Sequence, residues 1–412
     1  MNVVYERCAG LDVHKRTVVV CASILDSLGQ RHKERQTFGT MMPDLLRLRQ
    51  WLNDLEVTHV AMESTANYWK PIFNVLESHL EVLVVNAQHL KAVPGRKTDL
   101  KDAEWIADLL QHGLLNPSFI PPAPQREVRE LTRYRMSLTE ERTRLINRLQ
   151  QTLEEANIKL ASVASDVMGR SARDMLTALL AGEADATVLA ELARGRMRAK
   201  RDLLAQALHV QLKPHHCFLI GEQLADIDTL DEGIERMNTE IAERLRPYEH
   251  QIQRLSTIPG IKRRLAEVIL AEIGPDMNRF PDARHLASWA GMCPGNNESG
   301  GKRLNGKTRK GSPWLRSALV EAAHAATHCK DSYLSAQYQR LVVRRGGKKA
   351  TIAIGHTLLV IIYHILSEDE DYEELGGNDF DEWDRQAVQK RLVRRLEKLG
   401  YEVKLEPTSP AA

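Results

Sequence analysis

The first 120 residues alternate between short segments typical of β-strands and longer amphipathic ones. Residues 2–13, 17–25 and 31–38 have strand character with turn residues between them, and predict a three-stranded antiparallel meander. Apolar residues at helical spacing follow at 41–55, 68–80 and 98–111, and short apolar runs at 59–62 and 81–86 predict two more strands. The order strand, strand, strand, helix, strand, helix, strand, helix predicts an α/β domain.

The middle of the chain has a different, helical periodicity. The proline-rich run at 120–124 predicts a linker. Beyond it, two apolar seams recur every three or four residues: Leu131, Leu138, Leu145, Leu149, Thr152, Ala156 and Leu160, then Ile227, Leu230, Ile234, Met237, Ile241 and Leu245. The seams predict an antiparallel coiled-coil arm or an oligomer contact, and ordinary bundle helices are the alternative.

We therefore predict an α/β plus α protein with four regions. Residues 1–120 form the α/β domain, and residues 121–250 form a coiled-coil or helical region. Residues 251–366 form a mainly α-helical domain, and residues 367–412 form an acidic and then basic extension.

Charge is unevenly distributed along the chain. The formal net charge is +2, but ten acidic residues lie between Glu368 and Asp384. Without these acids the rest of the chain carries +12. A basic body suggests a polyanionic partner such as nucleic acid, whereas such an acidic run is more often just a solvated, partly disordered face.

The cysteines and the apolar segments indicate the compartment. Five scattered cysteines without a C-x-x-C pair argue against a disulfide framework and a structural zinc site. The most apolar stretch, 351–366, is shorter than a bilayer span and contains two histidines, so it predicts a buried helix. We expect a cytoplasmic protein with no charged-then-apolar leader and no membrane association.

Acidic residues interrupt apolar segments at two predicted strands. Asp12 lies in the first strand, in the sequence GLDVHK, and Glu63 ends the fourth, in AMEST. A lone carboxylate in an apolar strand costs several kcal/mol unless a cation or a base meets it. If the first and fourth strands are neighbours, Asp12 and Glu63 lie side by side.

A third acidic motif, KTDLKDA, places Asp99 and Asp102 three residues apart at a predicted helix start, with Thr98 as a candidate N-cap. Four carboxylates suit Mg²⁺ or Mn²⁺, and such ions can hold the attacking and leaving oxygens of a phosphoryl transfer. Asp99 and Asp102 have a second interpretation, since acids at a helix start also stabilise its dipole.

A glycine-rich, basic segment around Ser299 is the second candidate site. Glycines let backbone amides approach a phosphate, and the segment carries the cations Lys302, Arg303, Lys307, Arg309, Lys310 and Arg316 with no acid between Ser299 and Arg316. Ser299 is a candidate nucleophile if a metal, a base or positive charge activates it. The alternative is a loop that only binds phosphates. Ser312 is interpreted as a helix cap. Thr308 is a further hydroxyl that remains a candidate.

Further basic clusters and one turn are weaker candidates for nucleic-acid contacts. The clusters are Arg194, Arg196, Arg198, Lys200 and Arg201, and Arg344, Arg345, Lys348 and Lys349. The sequence Ile258-Pro259-Gly260-Ile261 resembles the hairpin of helix-hairpin-helix modules, and a plain turn explains it equally well.

The motifs GLDVHK, AMEST and KTDLKDA together resemble those of DEDD-type insertion-sequence transposases. The first domain of that family is ribonuclease-H-like and similar to the Holliday-junction resolvase RuvC. The resemblance extends to about residue 363, and departs from the simplest family layout in the acidic run and the basic end of the chain. It implies a catalytic serine in an S-G motif, which Ser299 matches, and a catalytic and metal-binding role for Asp12, Glu63, Asp99 and Asp102.

The resemblance also implies partners and chemistry. It predicts a recombinase that cuts and exchanges donor and target DNA through a phosphoserine link, guided by a structured (bridge) RNA from its own element. It predicts a homodimer or homotetramer in which the serine of one protomer meets the carboxylates of another. The alternatives are a structure-selective hydrolytic endonuclease, a non-catalytic nucleic-acid scaffold and a coiled-coil assembly protein.

Overall fold

A computed structural model describes most of the 412-residue chain. The described residues are 3–26, 28–64, 66–86, 102–210, 212–295, 297–299, 302–305, 307–308, 310–382 and 385–405. The chain divides into two compact units, residues 1–121 and residues 122–412.

A five-stranded mixed sheet forms the centre of the first unit. Its strands are β1 (Arg7–Val13), β2 (Thr17–Leu25), β3 (Arg31–Gly39), β4 (His59–Glu63) and β5 (Glu81–Val85). The spatial order is β3-β2-β1-β4-β5, with β1, β2 and β3 antiparallel and β1, β4 and β5 parallel. The predicted meander and the predicted neighbouring of the first and fourth strands are therefore present.

Helices cover both faces of this sheet. Helices α1 (Met42–Asp54) and α2 (Trp69–Leu76) share an apolar core with one face, and helix α3 (Asp102–Gln111) packs on the other. Side chains alternate along a strand, so Leu11 of β1 faces α1 and α2 whereas Cys8 faces α3. The sheet is buried on both sides.

The predicted and observed elements differ mainly at their ends. The first strand begins at Arg7 rather than at residue 2, and the second helix ends at Leu76 rather than at residue 80. Helix α3 is described from Asp102, while Thr98 and Asp99 lie outside the described residues. The predicted cap at Thr98 therefore stays a prediction.

The second unit is mainly helical. Its helices are α4 (Ala123–Glu155), α5 (Leu160–Val163), α6 (Arg170–Leu180), α7 (Ala186–Glu191), α8 (Arg201–Leu208), α9 (Pro214–Leu245), α10 (Glu249–Leu255), α11 (Arg263–Ile273), α12 (Ala283–Trp289), α13 (Pro313–Thr327), α14 (Tyr333–Arg345), α15 (Gly347–Glu368), α16 (Asp379–Glu382) and α17 (Arg385–Lys398). Short 3₁₀ segments occur at Gly195–Lys200, Arg246–Tyr248 and Met277–Arg279.

The second predicted seam lies on the long helix α9, and the first lies on the long helix α4 as far as Thr152, because Ala156 is the C-cap of α4 and Leu160 begins α5. Helices α4 and α9 pack against each other in opposite directions. Gln223 near the start of α9 donates a hydrogen bond to Thr152 near the end of α4, and Arg244 near the end of α9 pairs with Glu127 near the start of α4. The proline run does not only link: Pro122 is the N-cap of α4 and Pro124 lies in its first turn. Proline suits this position because the first amides of a helix have no intrahelical acceptor.

Two apolar clusters stabilise the second unit. The larger cluster contains residues of the six helices from α10 through α15, of the start of α4 and of the end of α9. The smaller cluster contains residues of the end of α4, of the start of α9 and of the helices between residues 156 and 213. Helix α15 is long and apolar enough to cross a membrane, yet Ile354, Leu358 and Ile362 are buried in the larger cluster. The prediction of a core helix here agrees with that burial.

Two features of the second unit correct our expectations. A β-hairpin, β6 (Asn297–Ser299) and β7 (Lys302–Asn305), interrupts the helices of a region for which we predicted a mainly α-helical domain. The start of the acidic run is also not merely solvated: Asp369 pairs with Arg254 at 3.0 Å, and the Glu374 carboxylate accepts hydrogen bonds from the amides of Tyr333 and Gly376.

Candidate active site

Asp12 and Glu63 lie at matching ends of two adjacent parallel strands. The register of β1 and β4 pairs Gly10 with Ala61 and Leu11 with Met62, so Asp12 and Glu63 occupy the next matched position. Paired residues of neighbouring strands present their side chains to the same face. The structure thus brings together two of the predicted site residues at the carboxyl edge of the sheet.

Helix α3 points its amino terminus at the same edge. A Cβ built on Gly10 would lie 2.2 Å from the carbonyl oxygen of Ala103, and the Cys8 thiol lies against the carbonyl of Ala107 at 3.8 Å. Helix α3 therefore runs antiparallel to β1, and its first residue, Asp102, lies toward Asp12. Only glycine at position 10 permits this close approach.

Both Asp12 and Glu63 are on the α3 face of the sheet. Val19, the cross-strand partner of Asp12, packs with Ala103 of α3, and Val85, the partner of Glu63, belongs to the cluster that joins the sheet to α3. The helix dipole places partial positive charge at the amino terminus of α3. Asp12, Glu63 and Asp102 come from three separate segments and thus lie on the same side of one edge.

His14 is a neighbour of this site that we did not single out. Its Nε2 atom lies 3.1 Å from Oδ2 of Asp12, whose side chain is 22% exposed. The signal was present in the sequence, because His14 stands two residues after Asp12 in the GLDVHK motif. An imidazole at this distance can hold the carboxylate in one orientation.

The carboxylate set has the chemistry that a hard divalent cation requires. Asp12, Glu63 and Asp102 offer oxygen donors, which Mg²⁺ and Mn²⁺ prefer, on the same side of the sheet. Asp99 lies outside the described residues. Within the part of the chain that the structure describes, no three His, Cys, Asp or Glu side chains are close enough together to hold a metal ion.

Ser299 is the last residue of β6, beside the turn of the hairpin. It pairs with Lys302, the first residue of β7, and Glu298 pairs with Arg303. At the foot of the hairpin, the Gly295 amide donates to the Lys307 carbonyl at 2.8 Å, and Pro294 is bridged to Thr308. A ladder of backbone pairs therefore extends from the foot of the hairpin to Ser299.

The predicted cations differ in where they lie. Lys302 and Arg303 are on β7, whereas Arg309 lies outside the described residues. Lys307 and Arg316 line a large groove of the second unit, and Lys310 is exposed and does not line that groove.

Ser312 acts as the predicted helix cap. Its hydroxyl accepts a hydrogen bond from the Leu315 amide at 3.3 Å and donates one to the buried Glu272 carboxylate at 2.9 Å. Glu272 also accepts two hydrogen bonds from Arg133. These contacts connect the start of α13 with α4 and α11 and account for a polar side chain at this position.

In the basic cluster between Arg194 and Arg201, three of the five candidate cations have partners within the chain. Arg194 pairs with Asp174, Arg201 pairs with Glu191, and Lys200 donates to a backbone carbonyl, whereas Arg196 and Arg198 are exposed. At the candidate hairpin, a Cβ on Gly260 would lie 2.3 Å from the Ala322 carbonyl. Close packing against α13 thus accounts for this glycine, and both interpretations of the turn stay open.

Two family models match the chain at the two places where these residues lie. A DEDD transposase model (DEDD_Tnp_IS110) matches residues 9–158, and the model of the transposase IS116/IS110/IS902 family matches residues 252–339. The matched ranges together cover more than half of the chain. The chain carries the transposase domains of the IS110/IS116 family. This transposase thus has a ribonuclease-H-like first domain, as predicted.

Curated bacterial relatives extend over most of the transposase. It is 26% identical over 325 residues to the transposase for insertion sequence element IS1111A of Coxiella burnetii, covering 77% of this chain and 80% of the relative. It is 26% identical to a probable family 20 transposase of Pseudomonas aeruginosa, covering 79% and 89%. It is 23% identical to the pilin gene-inverting protein of Moraxella bovis, covering 89% and 97%.

The family assignment fixes the general activity of the transposase. Transposases bind DNA, and this family implies DNA cutting and recombination. DEDD transposase domains typically use divalent metal ions.

Proposed function

We propose that this transposase cuts and exchanges DNA strands through a covalent serine link, with Asp12, Glu63, Asp99 and Asp102 as the metal-binding carboxylates and Ser299 as the nucleophile. The observation that supports the carboxylate role best is the matched position of Asp12 and Glu63 beneath the amino terminus of α3. Like charges at neighbouring positions repel each other, so a bound cation would stabilise this arrangement.

In the proposed reaction the Ser299 Oγ atom forms a bond to phosphorus while the bond from phosphorus to one sugar oxygen breaks. The serine loses its proton and the leaving sugar oxygen takes one up, so atoms and charge balance. The number of phosphate ester bonds is unchanged, and rejoining to another strand therefore needs no ATP. Bound Mg²⁺ or Mn²⁺ would stabilise the negative charge that develops on the oxygens around phosphorus.

The hairpin supports the proposed role of Ser299. Ser299 ends β6, and the register of the hairpin pairs it with Lys302, the first residue of β7. The basic residues Lys302 and Arg303 follow directly on β7. Positive charge close to a serine favours its alkoxide form and attracts a phosphate.

Two partners complete the proposal. We propose that donor and target DNA are selected through a structured guide (bridge) RNA of the same element, and that the active form is a homodimer or homotetramer with the serine of one protomer beside the carboxylates of another. Copurification of a defined RNA with the transposase, and sedimentation with and without that RNA, test these two points.

The decisive experiment looks for the covalent link. DNA carrying the ends of the element is incubated with the transposase and Mg²⁺, and the products are separated on a denaturing gel. We expect a protein–DNA adduct with the unmodified chain and with Ser312→Ala, but none with Ser299→Ala. Cleavage by Ser299→Ala without an adduct would instead assign hydrolysis by water.

A further inference from the structure

A large groove opens in the second unit at the foot of the Ser299 hairpin. Its volume is about 1110 Å³. One wall is the root of the hairpin, with Met292, Pro294, Lys307 and Thr308, and the floor is one face of helix α15. Because Pro294 and Thr308 also form the bridge that closes the hairpin, the groove is continuous with the strands that carry Ser299.

Positive charge lines this groove, and none of its lining residues in the part of the chain that the structure describes is a carboxylate. The lining cations are Lys307, Arg316, Arg345, Lys348 and Lys349. Within the described residues, no Asp or Glu side chain forms an ion pair with Arg316, Arg345, Lys348 or Lys349. Surface lysines and arginines elsewhere in the unit often have such partners, as Arg142 and Arg173 do. Among the described residues, the charges of these four cations are therefore not neutralised by an acid, which favours an anionic ligand.

The floor of the groove is partly apolar, so it can contact uncharged parts of a ligand as well as anionic ones. Ile352 and Ala353 lie on it, and His356 is half-buried beside them, where burial lowers the pKa of the imidazole and favours its neutral form. Lys348 and Thr357 mark the ends of this face, which spans about 13 Å at the rise of an α-helix. An apolar floor with a cationic rim matches a ligand that has both planar and anionic parts.

Gln337 also lines the groove, and its side-chain oxygen can accept a hydrogen bond from a ligand. Its Oε1 atom is buried and has no hydrogen-bond partner among the described residues. A buried acceptor without a donor is costly, and a base amino group or a sugar hydroxyl would satisfy it.

We infer that this groove binds an unpaired nucleic-acid strand, with its phosphates on Arg316, Arg345, Lys348 and Lys349 and its bases against Ile352, Ala353 and His356. A strand bound there would lead to the foot of the hairpin that carries Ser299. The inference rests on the proposed function in taking nucleic acid as the substrate. Binding in the groove, however, does not require Ser299 to be the nucleophile.

Equilibrium binding tests the inference separately from cleavage. The full chain with Ser299→Ala is titrated against a fluorescent single strand of DNA, a single strand of RNA and a DNA duplex of the same length, over a series of salt concentrations. Lys348→Ala combined with Lys349→Ala removes two phosphate contacts. We expect at least a tenfold weaker single-strand affinity and a slope of log K against log salt that is smaller by about 1.4.

Arg344 provides a matched control. It neighbours Arg345 on α14 and is exposed, but it does not line the groove. Arg345→Ala is expected to weaken single-strand binding several-fold, whereas Arg344→Ala leaves it unchanged. Ala353→Phe fills the floor without changing the charge and is expected to weaken single strands more than duplex. Thermal melting confirms that each variant is folded.

The outcomes separate the two ideas. Equal losses for Arg344→Ala and Arg345→Ala, or equal losses on single strands and duplex, would overturn the inference. A stronger effect on DNA or on RNA identifies which strand the groove takes, and either result supports it. If groove variants lose binding but no covalent adduct ever forms with the unmodified chain, strand binding in the groove is supported and the proposed role of Ser299 as nucleophile is wrong.

Discussion

Asp12 and Glu63 occupy the first matched position beyond the hydrogen-bonded register of β1 and β4, directly after the pair Leu11 and Met62. Neighbouring strands lie about 4.8 Å apart, so the backbone alone holds the two carboxylates close together. The close contact of Gly10 with Ala103 then sets the amino terminus of α3 over the same edge. The position of these acids is thus a consequence of strand register and of one glycine.

Removing either carboxylate is expected to stop DNA cleavage without unfolding the chain. Asp12→Asn and Glu63→Gln keep the size of each side chain but remove the negative charge that a divalent cation requires. We expect cleavage of element-end DNA to fall on the order of 1000-fold, since the charge stabilisation lost is several kcal/mol. Glu81→Gln is the matched control, because Glu81 is an exposed acid at the opposite end of the parallel strands. Equal losses in Glu81→Gln would contradict the assignment.

Metal binding at this edge should be visible as stability, independently of activity. A cation that binds only the folded state raises the free energy of unfolding by RT ln(1 + [M]/Kd), which is about 2.7 kcal/mol at a hundredfold excess over Kd. Addition of Mn²⁺ is therefore expected to raise the melting temperature of the unmodified chain, and EDTA to reverse the rise. Asp12→Asn and Glu63→Gln should show no rise; a similar rise in these variants would place the metal elsewhere.

Much of the first unit was predictable because its signals are local. Strand alternation and turn residues gave the meander, and an acid inside an apolar strand marked Asp12 as exceptional. The neighbouring position of Glu63 followed once β1 and β4 were taken as adjacent strands. The need for glycine at position 10 was not predicted, because it arises from a contact with a helix more than ninety residues away along the chain.

The second unit was harder to predict because its key relationships are distant in sequence. Two glycines between short polar segments are typical of a loop and of a hairpin turn alike, so the pairing of Ser299 with Lys302 was missed. Arg345 and Lys348 belonged to a basic cluster whose usual interpretation is a solvated face. Their convergence with Lys307 and Arg316 depends on how α13, α14 and α15 pack around the hairpin.

Gly10→Ala is expected to separate α3 from the sheet. The added methyl would lie 2.2 Å from the Ala103 carbonyl and 2.3 Å from the Ala107 amide nitrogen, both backbone atoms that yield only if the helix moves. We expect a loss of about 1–3 kcal/mol in stability and faster hydrogen exchange in α3 and β1. Gly221→Ala in α9 is the control, because nothing lies within 4 Å of its Cβ; it should gain up to about 1 kcal/mol. Unchanged exchange in Gly10→Ala would refute the contact.

The ion pair between Arg135 and Glu267 is expected to be essential for the packing of α4 on α11. Arg135 donates to Glu267 at 2.6 Å, and the two side chains are 1% and 4% exposed. Arg135→Met leaves a buried carboxylate whose one remaining partner among the described residues is Arg263, which is expected to cost about 3–5 kcal/mol in urea unfolding. Arg236→Ala removes an exposed pair with Glu232 and is expected to change stability by less than about 0.5 kcal/mol. A loss below 1 kcal/mol for Arg135→Met would contradict this expectation.

Thiol chemistry is expected to distinguish two classes of cysteine. Cys8 and Cys21 are fully buried in the first unit, and burial raises the pKa of both thiols, that of Cys8 to about 12. Only the thiolate reacts with iodoacetamide, and a raised pKa keeps it scarce well above neutral pH. At pH 8 the native chain should take up at most three labels, on Cys217, Cys293 and Cys329, and the unfolded chain five. A fourth label on the native chain, located by peptide mass mapping to Cys8 or Cys21, would show that α3 opens from the sheet.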